Sequence, residues 1–339
     1  MGKWFEGTGL EEDVVVSTRI RIARNLKNYR FPQRMSIDES EKLTQEVLNA
    51  MKKLPRDVNY KFIRINSLSS TDRVVMIEEH FISPGLIKKP DHSSFLLRED
   101  ERVTIMINEE DHLRIQVLLP NLNFEAGWKL SSEIDDFLES HLSYAFDEDF
   151  GYLTACPTNV GTGLRASAMV HIPALAMTGH IDDFIKGLTK IGLTARGLYG
   201  EGTKAIGDLY QISNQMTLGE REEEIINKLK NVIYQIINNE RDVRNNLLGK
   251  RKNEIEDKIF RSLGLLKYSR RMSSTEAMKH LSNIRLGRAM GLIKDIDFND
   301  IIKLMIQVQP ANIQRTANRQ LSQEERDAIR AKIIRDNIN

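Results

Sequence analysis

Two short segments of this 339-residue chain concentrate the side chains best suited to chemistry. Segments 108–114 (NEEDHLR) and 156–167 (CPTNVGTGLRAS) together hold three acids, a histidine, two arginines, the only cysteine and a glycine-rich turn. A third segment, 17–25 (STRIRIARN), adds three arginines at short spacing. Guanidinium groups stay charged and can form bidentate hydrogen bonds with two phosphate oxygens, whereas carboxylates bind cations. The segments predict a site that holds a polyphosphate beside a cationic acceptor.

Phosphoryl transfer requires that phosphate charge be neutralised and that acceptor and phosphate be held in line. A single arginine is more often a solvated surface residue, so the prediction depends on several arginines that each lie in a motif. A cage of arginines around three phosphates is the arrangement that this chemistry needs. Its predicted members are Arg19, Arg21, Arg114, Arg165 and Arg196.

The remaining reactive residues each have a structural alternative. Glu109, Glu110 and Asp111 are equally typical of an acidic hairpin turn, and a lone cysteine is usually buried and inert. Cys156 precedes a turn that we expect to lead into a helix at about Leu164, whose dipole and backbone amides would lower the pKa of the thiol. In that case, oxidation of Cys156 would inactivate the protein.

Several other functional classes are disfavoured by their missing motifs. The sequence GTGLRA at 161–166 imitates a dinucleotide fingerprint, but a βαβ frame with a downstream acid is not evident. The chain contains no GxxxxGK[ST] loop, no HRD and DFG pair, and no HExxH motif. We therefore do not expect a P-loop NTPase, a Ser/Thr kinase fold or a zinc protease.

Composition predicts a globular protein of two domains. Apolar residues make up 40% and charged residues 29%, and 49 basic side chains face 48 acidic ones. A net charge of +1 gives no reason to expect nucleic acid or an anionic membrane as a partner. A single cysteine favours a reducing compartment, and we see neither a leader nor an apolar membrane span, so we expect a cytoplasmic protein.

Hydrophobic periodicity predicts an α+β fold whose sheet is antiparallel or mixed. Strands are expected at 73–77, 103–107 and 115–119, and helices at 36–54 and 130–144. Thr217 and Glu220 have capping-box spacing and are expected to open a long helix. The sequence is almost entirely helical in pattern after about Arg251. We expect a catalytic domain at 1–245 and a small all-α domain at 246–339.

The three reactive segments resemble those of the phosphagen kinases, the ATP:guanidino phosphotransferases, and the match runs through most of the chain. The resemblance implies ATP as donor. Magnesium is inferred from the triphosphate, because the sequence shows no dedicated set of metal-binding residues. The resemblance also implies that His80, in Glu79-His-Phe-Ile-Ser-Pro84, lies beside the nucleoside. The implied ATP-binding residues are Ser17, Thr18, Arg19, Ile20, Arg21, His80, Arg114, Arg165, Ala166, Ser167, Ala168, Met169, Arg196, Gly197, Leu198, Tyr199, Gly200 and Glu201.

Three catalytic residues follow from the same resemblance. Glu110 matches the glutamate that grips the acceptor guanidinium and serves as base or orienting group. Glu201 matches a second glutamate on a loop that closes over the substrate. Cys156 is expected to assist guanidinium binding as a thiolate, without forming a covalent intermediate.

Within the superfamily, two features resemble the protein arginine kinases. Kinases of creatine or free arginine carry a helical domain before the STRxR segment, whereas Ser17 comes almost at once here, so we expect an open cleft that admits a protein-borne arginine. The segment 326–331, RDAIRA, matches an RDxxRA motif. Spacing alone equally allows a charged helix with an internal ion pair. The resemblance implies an allosteric phosphoarginine pocket that contains Arg326, Asp327, Arg330 and Ala331.

The resemblance thus implies a kinase of protein arginines. Its implied targets include a heat-shock transcriptional repressor and proteins marked for a Clp ATPase and protease. A zinc-containing activator protein and a homodimer through the helical domain are also implied. Two alternatives remain open at this point: a kinase of free arginine, and a phosphoarginine-binding adaptor without kinase activity.

Overall fold

The computed structural model describes residues 3–7, 9–55, 58–179, 181–197, 205–317 and 319–338. Eight strands of the described residues form one sheet, and two short strands form a separate hairpin. The strands are β1 (Val15–Arg24), β2 (Tyr60–Arg64), β3 (Ser94–Arg98), β4 (Val103–Ile107), β5 (Leu113–Pro120), β6 (Phe146–Asp147), β7 (Gly151–Tyr152), β8 (Leu164–His171), β9 (Leu193–Gly197) and β10 (Leu209–Asn214).

The large sheet is antiparallel throughout, with the order β2-β3-β4-β5-β1-β8-β10-β9. The first strand is therefore central, between β5 and β8. The structure confirms the α+β fold, and of the two expected sheet types it has the antiparallel one.

Helices cover the sheet and follow it in the chain. Among the described residues they are α1 (Ile37–Met51), α2 (Ser70–Glu78), α3 (Phe124–Glu139), α4 (Pro173–Met177), α5 (Ile181–Lys190), α6 (Glu222–Lys250), α7 (Lys252–Tyr268), α8 (Ser274–Ala289), α9 (Phe298–Gln307), α10 (Pro310–Arg315) and α11 (Gln323–Ile338).

Strict alternation along the central strands gives the sheet two different faces. In β1, Ile20 and Ile22 are buried in the main core, whereas Arg19 and Arg21 lie on the opposite face. Helix α3 packs on β1 and β5, and α6 packs on β8 and β10, so these helices cover the apolar face. The arginine face is left for binding.

A second core lies at one end of the arginine face. Residues of α7, α8, α9 and α11 pack there against the end of α2 and against Trp4, Phe81 and Leu118. The helical character predicted after Arg251 is confirmed, although α6 runs unbroken past residue 245. The division at 245 and 246 stays a prediction.

The strand predicted at 73–77 is wrong, because these residues belong to α2. Their β-branched side chains favour a strand, but the Ser69 hydroxyl accepts a hydrogen bond from Asp72 N at 3.0 Å and caps a helix. Burial of Val75 and packing of α2 on α10 stabilise that helix. Tertiary contacts and a cap outweigh strand propensity here.

Two helix boundaries also differ from prediction. The helix expected at 130–144 begins earlier, at Phe124, and ends at Glu139. The helix expected from Thr217 begins at Glu222, and its capping contact joins Arg221 N to Glu224 Oε2 at 3.0 Å. Thr217 instead donates its hydroxyl to the carbonyl oxygens of Val160 at 2.7 Å and Thr158 at 2.9 Å. It thereby fixes the loop that carries Cys156.

Candidate active site

Strand register places the predicted arginines on one face of the sheet. Arg21 lies opposite Arg165 of β8 and Gln116 of β5. Arg114 is two residues from Gln116 along β5, opposite Ala23, and therefore lies on the same face. Arg196 of β9 lies opposite Gln211 of β10. Directly paired residues of antiparallel strands project to the same side, so five strands contribute side chains to a single polar surface.

Arg19 and Arg21 have no hydrogen-bond partner for their side chains among the residues that the structure describes. Burial, together with the nearby charges of Arg114 and Arg165, lowers the pKa of Arg19 to about 10. Burial and the neighbouring arginines also lower the pKa of Arg21, although Glu109 opposes this. An anion would remove this mutual repulsion, so the surface fits a polyphosphate.

Two adjoining cavities lie over this surface and share Arg21, Arg165 and Arg196. One, of about 130 Å³, is bounded by Arg19, His80 and the segment 82–84. The other, of about 340 Å³, extends to Glu110, Cys156 and the loop at 158–159. The shared arginines therefore lie between two ends of the site. The end with His80 is predicted to hold the nucleoside and is called the nucleoside end, and the end with Glu110 is predicted to hold the acceptor and is called the acceptor end.

The NEED segment forms the turn between β4 and β5, so its reading as an acidic hairpin turn is also correct. Glu109 is buried and pairs with Arg114 at 2.7 Å, and it accepts a hydrogen bond from Ser83 Oγ at 2.6 Å. Glu110 is more open, with its side chain 41% exposed and 3.4 Å from Arg114. Burial, the largest cause, raises the pKa of Glu110, although Arg114 opposes this. Glu110 is therefore the acid available to a substrate.

Asp111 and His112 hold the turn on its interior side, and both are fully buried. Asp111 accepts hydrogen bonds from Asn25 Nδ2 and Ala155 N, both at 2.7 Å, and so connects the turn to the segment before Cys156. His112 Nδ1 accepts from Leu26 N at 2.9 Å, and Nε2 lies 2.8 Å from the carbonyl oxygen of Arg30. These two contacts require the neutral imidazole with its proton on Nε2.

The helix predicted at about Leu164 is wrong, because residues 164–171 form β8. Leu164, Ala166 and Ala168 alternate with more polar residues and fill the sheet core, which is a strand pattern. Because this helix is not formed, the predicted effect of its dipole on the Cys156 thiol loses its basis. Cys156 instead precedes one turn of 3₁₀ helix, and its sulfur lies 3.1 Å from Thr158 Oγ1 while facing the acceptor cavity.

His80 lies at the nucleoside end, at the end of α2. Its φ of +63° is unusual for a side-chain residue. Burial, followed by the charge of Arg19, lowers the pKa of this histidine to about 4. A neutral ring therefore lines this end of the cavity.

The other predicted ATP-binding residues lie in different parts of the structure. Ser17, Ser167 and Met169 line a cavity beside Arg19. Several others are buried away from the cavities, and Gly197 ends β9 at the sheet edge. Leu198, Tyr199, Gly200 and Glu201 lie outside the described residues. The buried group comprises Thr18, whose hydroxyl donates to Asn121 O, and Ile20, Ala166 and Ala168, which lie in the main core.

Sequence reasoning missed several residues that line or support the site. Glu109 orients Arg114, and Gln116, Gln211 and Ser213 complete the polar face. Polar residues at alternate positions of a strongly apolar strand were the available signal, as in Arg114-x-Gln116. Their pairing partners, however, come from distant parts of the chain.

The RDxxRA segment lies on α11. Ser322 and Glu325 form a capping box at its start, with contacts of 3.2 Å and 2.8 Å. Arg330 is buried and donates to the carbonyl oxygens of Val308 at 2.8 Å and Met272 at 2.9 Å, and it pairs with Asp327 at 2.5 Å. Arg326 is half-buried. The predicted ion pair is present, and the phosphoarginine pocket stays a prediction.

The described residues include no group of three or more histidine, cysteine, aspartate or glutamate side chains placed to hold a metal. None of the helices described is long and apolar enough to cross a membrane.

Comparisons with known proteins agree with this geometry. The family "ATP:guanido phosphotransferase, C-terminal catalytic domain" matches residues 42–243, and "Protein-arginine kinase McsB C-terminal domain" matches residues 252–339. Protein-arginine kinases of Halothermothrix orenii and Clostridium tetani are 46% and 44% identical to this chain. The first alignment covers 100% of this chain and 97% of the relative, and the second covers 99% and 98%.

Solved structures show the same fold. The substrate-free duplicated taurocyamine kinase from Schistosoma mansoni is 25% identical with a TM-score of 0.60, over 69% of this chain and 35% of that one. A lombricine kinase is 26% identical with a TM-score of 0.59, over 71% and 68%. This chain belongs to the ATP:guanido phosphotransferase family, in its protein-arginine kinase branch.

Proposed function

We propose that this protein transfers the γ-phosphate of ATP to a guanidinium nitrogen of arginine side chains in other proteins. The observation that carries the proposal is the pair Arg19 and Arg21. Their guanidinium groups have no hydrogen-bond partner among the described residues, and they lie in one cavity system with the exposed carboxylate of Glu110. The names of its full-length relatives support arginine in proteins as the acceptor.

In the proposed reaction, the bond between the γ-phosphorus and the bridging oxygen of ATP breaks as a nitrogen–phosphorus bond forms. The leaving ADP carries the electron pair of the broken bond. Glu110 holds the acceptor guanidinium and accepts the proton that the attacking nitrogen loses. The arginine face neutralises the charge that spreads over the phosphate oxygens. Cys156 lies at the acceptor end, where its sulfur contributes a further contact to the guanidinium.

Magnesium would add charge neutralisation on the phosphates. Because the described residues offer no carboxylate cluster for it, the ion is proposed to arrive as the Mg–ATP complex. The arginine face suits such a complex, because its guanidinium groups do not bind metal ions and the magnesium would stay bound to the phosphate oxygens.

The biological role belongs to the same proposal and is supported by family membership. Phosphorylation of arginine would mark target proteins for a Clp ATPase and protease, and would inactivate a heat-shock repressor in a cytoplasmic stress response. A zinc-containing activator and a homodimer through the C-terminal helices complete the proposal, with phosphoarginine acting as an allosteric ligand.

The test is incubation with Mg–ATP and either casein or free arginine, followed by mass spectrometry under non-acidic conditions. Phosphate on casein arginines is the expected result. Phosphate on free arginine alone would contradict the proposal in favour of a small-molecule kinase. No transfer with either, even with activator added, would favour an adaptor.

Two variants make the assay specific. Glu110→Gln removes the carboxylate with little change in size and should abolish transfer while ADP still binds. Glu223→Gln, an exposed position on α6, is the matched control and should transfer normally. Normal transfer by Glu110→Gln would contradict the catalytic role given to Glu110.

A further inference from the structure

A third cavity lies between the arginine face and the C-terminal helices, beyond the nucleoside end of the site. It shares Arg19, His80 and Gln211 with the cavity over the arginines. Its volume is about 40 Å³, and most of its lining is apolar. Val16, Leu118, Met169 and Leu209 line it from the sheet side, whereas Met278 of α8, Ile302, Met305 and Ile306 of α9, and Gln309 line it from the helical side.

The position and chemistry of this cavity suit the base of a nucleotide. A nucleotide whose phosphates lie on the arginines, with its transferable end toward Glu110, has its base at the opposite end. Apolar walls with a few polar groups are typical of sites for flat, heteroaromatic ligands. Met169, Met278 and Met305 can adapt their shape and make favourable sulfur contacts with a ring.

Gln309 is the polar group of the helical wall, and it is 5% exposed. Its Nε2 donates to Met305 O at 2.7 Å and lies 3.2 Å from Met278 Sδ, so it connects α8 to α9. Its Oε1 accepts no hydrogen bond from the described residues. The Nε2 contacts fix which end of the amide is which, so Oε1 is left as an acceptor that a ligand in the cavity can supply with a donor.

We propose that the C-terminal helices form one wall of the nucleobase site, in which Gln309 Oε1 accepts a hydrogen bond from the amino group of adenine. This inference rests on the proposed use of ATP. Guanine presents a carbonyl oxygen where adenine has its amino group, so it would leave the acceptor unpaired. Gln309 thus selects adenine nucleotides over guanine nucleotides.

Two buried contacts hold this wall in place. Val308, beside Gln309, receives the hydrogen bond from Arg330 of α11. On the other side, the Glu78 carboxylate accepts from Ala311 N at 2.9 Å and Asn312 N at 2.8 Å, at the start of α10. Glu78 and Arg330 are therefore positioning residues for Gln309, and they join the RDxxRA helix to the base site.

The test measures ADP, GDP and tripolyphosphate binding by titration calorimetry. Gln309→Met keeps the size of the side chain and removes its acceptor, so ADP should bind about tenfold more weakly, with tripolyphosphate unchanged. The preference for ADP over GDP should fall toward one. Met278→Ala, which thins the wall, should weaken ADP and GDP equally. Lys303→Ala, exposed on α9, is the matched control.

The outcomes separate this inference from the proposed function. Unchanged ADP affinity and selectivity in Gln309→Met would contradict the inference alone. Equal weakening of ADP and tripolyphosphate would also contradict it, since a general loss of structure affects both ligands. If the parent protein bound neither ADP nor tripolyphosphate, the use of ATP itself would be contradicted.

Discussion

Acidification should destabilise this protein through His112, the buried histidine below the NEED turn. Its ring nitrogens are already used by Leu26 N and Arg30 O, which fixes the neutral form. Burial, the largest cause, lowers the pKa of His112 to about 4, and the contact with Arg30 only partly opposes this. In the unfolded chain the pKa of histidine is about 6.5.

The sign and size of the effect follow from proton linkage. Between pH 6.5 and 4 the unfolded chain binds a proton that folded His112 does not bind, so unfolding becomes more favourable as pH falls. The effect is nearly absent at pH 7. At about 1.4 kcal/mol per pH unit, it costs about 2 kcal/mol of unfolding free energy at pH 5, and about 3.4 kcal/mol below pH 4.

The measurement is urea unfolding at pH 7 and pH 5 for the parent and for His112→Asn, whose side-chain oxygen can still accept from Leu26 N. Other histidines titrate equally in both proteins, so the difference between their pH dependences isolates His112. The parent should lose about 2 kcal/mol more than the variant. Equal losses would refute the argument that a neutral, buried His112 stabilises the turn that presents Glu110.

Three further predictions concern the site and its supports. Because the pKa of Glu110 is raised, kcat/KM should fall as pH falls, with an apparent pKa above the ordinary range of glutamate. An apparent pKa at or below that range would contradict this prediction. Gly161→Ala should cost about 1–3 kcal/mol of unfolding free energy, because φ is +107° and the new carbon would lie 2.5 Å from a carbonyl oxygen. Gly249→Ala, on an open helix surface, should not destabilise. Arg330→Ala should cost about 3 kcal/mol by urea unfolding, because its buried carbonyl and carboxylate partners would lose their donor. Arg326→Ala should be nearly neutral in that assay, so it is the better variant for testing phosphoarginine regulation.

Motifs in the sequence grouped Arg19 and Arg21, and the geometry of β1, a strand that was not predicted, accounts for their common face. Arg19 and Arg21 are two residues apart on a strand, and a period of two puts them on one side whatever the strand pairs with. The apolar alternates Ile20 and Ile22 then fix which side is buried. Local periodicity also predicted α1, which lies within the expected range of 36–54.

Predictions failed where local signals competed. Residues 73–77 have strand propensity, but the cap at Ser69 and the docking of α2 on α10 decide for a helix. The glycines before Leu164 suggested a helix start, whereas the alternating burial of 164–171 belongs to a central strand. In each case the deciding contact comes from a partner far along the chain.

The helical wall of the base site was beyond prediction for the same reason. Nothing near Gln309 in the sequence indicates that it lies in one cavity with Arg19. The contact depends on how α8 and α9 pack on the sheet. Helical periodicity predicts that such helices bury one face, but not which partner they bury it against.

The central position of β1 has a consequence for the growing polypeptide. Thr18 pairs with Leu119 on one side and with Ala168 on the other, so β1 leaves the ribosome well before either of its two neighbours. Until they follow, it is an apolar segment with two open edges, which is the kind of segment that recruits other chains into aggregates. Charged residues within such a segment act as gatekeepers against aggregation. We therefore expect Arg19 and Arg21 to limit aggregation of the nascent strand, a role separate from ligand binding.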